Sequence, residues 1–128
     1  MNNPQNLKYT QEHEWIKVDG NKAVIGITDL AQSLLGDVVF VELPQVGVEF
    51  AAHDTMGIIE SVKAVSDIYA PVSGKVLEVN TALEDSPEIV NQDAFGKGWL
   101  VVLEIKDADE LGGLLSAEDY EKLFAEEG

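Results

Sequence analysis

The sequence predicts an all-β fold with minor helix, a sandwich or barrel of short strands. Alternating β-branched runs recur at close spacing, Gly, Pro and Asn interrupt them, and only two stretches carry helix signals. At 128 residues the chain suits one domain, since domains most often run about 100–150 residues.

The elements follow in order. Tyr9 to Val18 reads as a first strand, and Asp19-Gly20-Asn21 is a hairpin turn signal leading into Ala23–Ile27. Thr28 then caps a short helix over 29–35, with Gly36 as its stop. Val38 to Leu43 is a strongly apolar strand ended by Pro44, whose missing N–H interrupts a ladder. Thr55 to Val62 and Ala64 to Tyr69 form a strand pair with Lys63 at its tip. Lys75 to Val79 alternates as a half-buried strand should, and Leu100 to Ile105 is the last clear strand. The Lys-led strands at 22–27 and 75–80 echo each other faintly and would suit two related halves with Lys63 between them.

The C-terminal stretch differs in kind. Ser116-Ala117-Glu118-Asp119 supplies an N-cap and an acidic first turn, so a second helix is expected near 117–126. Leu115, Tyr120, Leu123 and Phe124 sit near helical spacing and are expected to pack on the sheet edge. Residues 107–128 carry eight acids against one Lys, which reads as a solvated face rather than a docking surface.

Composition removes several function classes. The net charge is −16 and all eight basic residues are Lys. That argues against nucleic acid as a partner, because phosphate binding depends on clustered Lys and Arg. With no Cys, disulfides, thiolate metal sites and a thiol nucleophile are excluded. Neither a signal peptide, a transit peptide nor an apolar run long enough to span a membrane is recognisable. The cytoplasm of a prokaryote is the simplest home, with a mature organellar protein as the alternative.

Few residues carry candidate chemistry. His13-Glu14 lacks the second His that a zincin helix needs, and Gly96-Lys97-Gly98 lacks the spacing of a phosphate loop. His53 stands alone on a predicted turn, and Trp15 and Trp99 read as packing residues. No nucleophile–base pair announces itself. The distinctive segment is Gly57 to Pro71, in which two strands meet at Lys63 and present one amine on a rigid support. Taken alone, a lysine in a hairpin is an ordinary surface residue.

The flanking residues change that reading. Glu60-Ser61-Val62-Lys63-Ala64 closely resembles the lipoyl-attachment site of the glycine cleavage system H proteins. The resemblance continues through Tyr9-Thr10, His13-Glu14-Trp15, Gly26-Ile27-Thr28-Asp29, Leu35-Gly36-Asp37 and Phe40-Val41-Glu42-Leu43-Pro44. Downstream it extends through Ala70-Pro71-Val72-Ser73-Gly74, Val79-Asn80, Pro87, Val90-Asn91 and Gly98-Trp99, covering roughly residues 7–105. Ala94 departs from the family's usual Pro, and His53 stands where a Gly is usual.

The resemblance implies a lipoyl-domain-like flattened β-barrel or sandwich, a barrel-sandwich hybrid, spanning 1–128 as one carrier domain. Its core would cover about 7–105 and a helical extension about 107–128. It implies lipoate joined by an amide to Lys63, with Glu60 and Asp67 as ligase-recognition residues or arm contacts. Glu14 would meet the cationic aminomethyl group, against the plainer reading of a charged residue on an edge strand. The implied partners are glycine decarboxylase (P protein), aminomethyltransferase (T protein), dihydrolipoyl dehydrogenase (L protein) and a lipoate-attaching enzyme. The chain would be a carrier rather than a catalyst, the chemistry belonging to the cofactor.

Four rival readings compete with this one. A lipoyl domain of a 2-oxo acid dehydrogenase usually has Asp before its Lys, where this chain has Val62, and a biotin carrier has Met on both sides. An H-protein-like relay, passing lipoate to other enzymes, shares the attachment motif. A plain β-sandwich interaction module would leave Lys63 unmodified.

Overall fold

The computed structural model describes residues 3–125. Nine strands form two antiparallel sheets, and neither sheet closes on itself, so the sandwich alternative holds over the barrel. One sheet has six strands in the order β1-β2-β3-β9-β8-β5, built from Lys8–Tyr9, Glu14–Asp19, Lys22–Ile27, Val101–Ile105, Gly74–Val79 and Glu49–Phe50. The other has three, β4-β6-β7, from Val38–Glu42, Thr55–Ser61 and Val65–Tyr69. The helices are α1 (Asp29–Leu35), α2 (Ala82–Asp85), α3 (Ile89–Gln92), a 3-10 helix (Ala108–Gly113) and α4 (Ala117–Phe124).

Alternation explains the layers. Ile16, Ile25, Val76 and Leu103 of the large sheet face Val41, Ile59 and Ile68 of the small one in a continuous apolar core. Each such side chain stabilises the fold by roughly 1.5–3 kcal/mol on burial. A second cluster joins Leu7, Tyr9, Trp15, Leu30, Ala117 and Tyr120, and packs α4 against β1 and α1. Tyr9 and Tyr120 stack there with ring centroids 5.0 Å apart.

The expected first strand is two. At residues 10–13 the chain reverses: His13 N–H donates to Thr10 O at 3.2 Å and Thr10 N–H to Glu14 O at 3.0 Å. His13 turns the corner at φ 68°, and β1 folds back on β2 with Tyr9 opposite Trp15. Helix α1 has the predicted bounds, with Thr28 Oγ1 accepting the Ala31 N–H. The echoed strands β3 and β8 flank β9, and each runs into a short helix. Among the C-terminal residues Tyr120 is fully buried, but Leu123 is 52% exposed and does not pack as expected. It falls on the outer face of α4, whereas Leu115 precedes the helix and bridges to Tyr9. The predicted helix end at 126 lies outside the described residues.

Candidate functional site

The β6–β7 hairpin closes over Val62-Lys63-Ala64, and Ser61 builds the turn. Its N–H donates to Ala64 O at 2.8 Å, while its Oγ accepts the N–H groups of Ala64 at 3.0 Å and Lys63 at 3.3 Å. The tip is tied to the body by a further bond, from Val62 N–H to Asp37 O at 3.0 Å. Val62 and Val65 stand 69% and 64% exposed on either side of the exposed Lys63.

Lys63 does not simply project into solvent. Its stem crosses Gly36, the residue that ends α1, so closely that a Cβ there would lie 3.4 Å from Lys63 Cε. Gly36 has φ 79° and ψ −155°, a conformation that only glycine adopts freely. The lysine is thus laid against the end of α1.

A cleft of about 180 Å³ opens between α1 and the hairpin. Ile27, Ala31, Leu34, Leu35 and Ile59 give it an apolar wall, and Glu12, Glu14 and Asp67 give it acidic groups. Because Leu34 and Leu35 directly precede Gly36, this wall begins where the Lys63 stem lies.

Glu14 is the unusual group. It is 2% exposed, with Oε1 accepting the Thr10 hydroxyl at 2.7 Å and Oε2 the Tyr69 N–H at 3.3 Å. Burial disfavours its ionised form and outweighs these two bonds, so its pKa is pushed up to about 7. Glu14 is buried on β2, which lies between β1 and β3 and is not the edge strand of the plainer reading. A cation entering the cleft would meet a desolvated carboxylate with strong affinity for positive charge.

The other two acids are placed differently. Glu60 sits between Phe40 and Val65 on the face opposite Ile59, the face that Asp67 shares by register, but Glu60 does not line the cleft. Asp67 pairs with Ile58, accepts the Tyr69 hydroxyl at 3.4 Å and lines the cleft. Its charge raises the Tyr69 pKa above the ordinary phenol value. Glu14 and Asp67 thus line one cleft, Lys63 reaches its α1 end at Gly36 without lining it, and Glu60 lies outside it.

The sequence pattern that defines the glycine cleavage H-protein family matches residues 7–127. The chain belongs to this family. It is 62% identical over 125 residues to the glycine cleavage system H protein of Carboxydothermus hydrogenoformans, covering 98% of this chain and 96% of that one. The H protein of Geobacillus sp. strain WCH70 is 55% identical over 126 residues, covering 98% and 99% of the two chains. The crystal structure of the Mycobacterium marinum H protein superposes with a TM-score of 0.88 at 40% identity, covering 95% of this chain and 98% of that one.

Within this H-protein fold, Thr10, Tyr69 and Gly36 belong to the site although sequence reasoning gave them no role there. Thr10 and Glu14 stand in adjacent family-like strings, four residues apart. That spacing was the available signal. Nothing local marks Tyr69, because its contribution is a backbone N–H.

Proposed function

We propose that this protein is the lipoyl carrier of the glycine cleavage system, that Lys63 is its attachment residue, and that the whole chain acts as one carrier domain. The observation that carries the proposal is the path from an exposed lysine, over Gly36, to an apolar cleft containing a buried carboxylate. The donor set fits the group: the lysine supplies an accessible amine, the aliphatic wall suits a hydrocarbon arm, and no cysteine is present to exchange with a dithiolane.

When attached, lipoate supplies a disulfide that accepts the aminomethyl group of glycine and is later reoxidised. The chain's own residues hold, present and shelter. The Ser61-closed turn keeps the exposed Lys63 within reach of the attaching enzyme, with the half-buried Glu60 of the central strand β6 close to the turn for its recognition. The α1 wall excludes water from the arm, and Glu14 holds the cationic cargo by charge, with Asp67 on the same cleft. The partners in this reading are the P, T and L proteins and the lipoate-attaching enzyme, and the setting is the prokaryotic cytoplasm. The protein itself performs no catalysis.

Intact-mass measurement after expression with lipoate and a ligase tests attachment. A gain of one lipoyl amide, abolished by Lys63→Ala, is expected; no gain overturns the proposal. Glycine-dependent bicarbonate exchange with the decarboxylase separates the shuttle from a lipoate relay, and its absence in the lipoylated protein would favour the relay. Loss of aminomethyl cargo should quicken about tenfold in Glu14→Ala, the kinetic equivalent of one charge-assisted contact. An unchanged rate removes Glu14 from the site.

A further inference from the structure

We infer that Asn91 is a positioning residue for Lys63, an inference that rests on Lys63 being the anchor proposed above. The Asn91 side chain closes three hydrogen bonds around one short strap. Its Nδ2 donates to Gln32 Oε1 at 2.9 Å and to Gly36 O at 2.8 Å, and its Oδ1 accepts the Val38 N–H at 2.8 Å. Gly36 and Val38 bracket Asp37, whose carbonyl accepts the Val62 N–H beside Lys63. Gly36 is also the residue over which the Lys63 stem lies. One amide therefore fixes both the floor under the lysine and the acceptor that holds its neighbour.

The strap needs an external support. The β4–β6 ladder shifts register between Val38 and Phe40, so regular pairing is interrupted beside the hairpin tip. Past that bulge the bond from Val62 to Asp37 extends the attachment to the tip, and it is only as firm as residues 36–38. Asn suits the task because one planar group offers two donors and an acceptor at fixed geometry. Its helix is anchored by the fully buried Val90. A carboxylate at position 91 would keep the acceptor and turn a like-charged oxygen toward the Gly36 carbonyl. Loosening the strap would let the tip drift from the end of α1 and weaken the path into the cleft.

Amide hydrogen exchange on the unmodified protein tests this directly. In Asn91→Ala the Val62 amide should lose about tenfold or more of its protection, as expected for a local opening. Ser61, whose N–H bonds to Ala64 O inside the turn, should keep its protection. Asn80→Ala is the matched control, since Asn80 ties the Lys97 and Trp99 carbonyls by the same kind of amide clamp away from the strap. It should leave the ratio of Val62 to Ser61 exchange unchanged. Equal loss at both amides in Asn91→Ala, or the same selective loss in Asn80→Ala, overturns the inference. If Asn91→Ala does not fold, Asn91→Asp should show the selective loss, and normal Val62 protection in it overturns the inference equally.

After lipoylation, Asn91→Ala should show the same mass gain as wild type but lose aminomethyl cargo about threefold faster, through a more open arm. Equal cargo lifetimes would refute the positioning role. Failure of wild type to take up lipoate would instead refute the reading of Lys63, and the exchange result would stand apart from it.

Discussion

Glu14 Oε2 accepts the N–H of Tyr69 at 3.3 Å and so joins the six-stranded sheet to the three-stranded one. A buried carboxyl thus serves as both a structural link and a titrating group. Its pKa rises from the ordinary 4.5 to about 7, chiefly through desolvation. Between those values the folded chain binds more protons at Glu14 than the unfolded chain does. Stability is therefore lost as pH rises through that window, and is level beyond it. Over the full window the loss is on the order of 3 kcal/mol. Glu14→Gln removes the slope, so the variant should gain on wild type steadily from pH 5 to 8 in urea unfolding. Parallel pH curves for the two proteins would contradict the account.

Trp15 and Gly26 face each other across β2 and β3, and the indole lies over the glycine. A Cβ on Gly26 would fall 2.5 Å from Trp15 Cε2. The ring has little room to retreat, because its Nε1–H donates to Ala94 O at 2.9 Å in a buried setting. Gly26→Ala should cost about 1–3 kcal/mol by overpacking, read as a lower denaturation midpoint with altered tryptophan fluorescence. A neutral substitution would mean that the ring repacks without losing its hydrogen bond.

His53 holds φ 76° in the turn after Phe50, with its N–H bonded to Ala70 O at 2.7 Å. A side chain in this region is strained by roughly 1 kcal/mol or more, and glycine is not. That conformation suits the Gly that the resemblance leads one to expect at this position. His53→Gly should raise stability by about 0.5–1 kcal/mol, the relief exceeding the added freedom of the unfolded chain. Thermal unfolding near neutral pH checks it, and a lower midpoint would show that the imidazole contributes packing that outweighs the strain.

Legibility followed the range of the forces involved. Helix α1 was readable because Thr28 caps it and Gly36 ends it, both local signals. The Lys63 hairpin was readable for the same reason: its apolar period and its turn lie within one segment. The split of the first strand was not, since residues 10–13 include no Gly or Pro, and the reversal is held by backbone bonds together with Thr10 Oγ1, which accepts the Glu12 and Glu14 N–H groups. Helices α2 and α3 are four residues each and lack side-chain caps, so they are secured by contacts from elsewhere in the chain, the packing of Leu83 and Val90 and the Asn91 bonds to 32–38. The residues alone left Glu14 open to the reading of a charged residue on an edge strand, because its burial depends on α1 and β7, which arrive from elsewhere in the chain. The floor of the site at Gly36 was visible only as a helix stop.

The Tyr120 hydroxyl lies 2.8 Å from Thr28 Oγ1 and 2.7 Å from His13 Nδ1. Thr28 caps α1, which walls the cleft, and His13 stands on the opposite lip beside Glu14. Helix α4 thereby braces two sides of the site through one phenol, although its own sequence reads as a solvated acidic helix. Tyr120→Phe keeps the ring that stacks on Tyr9 and removes the hydroxyl that makes these bonds. Loss of about 1–3 kcal/mol is expected, because a buried Thr28 hydroxyl then loses a partner. Combining it with Thr28→Val should give less than the sum of the single effects, with a coupling of about 1 kcal/mol. Strict additivity in that cycle would mean that α4 stabilises the fold through its rings alone and leaves the α1 cap undisturbed.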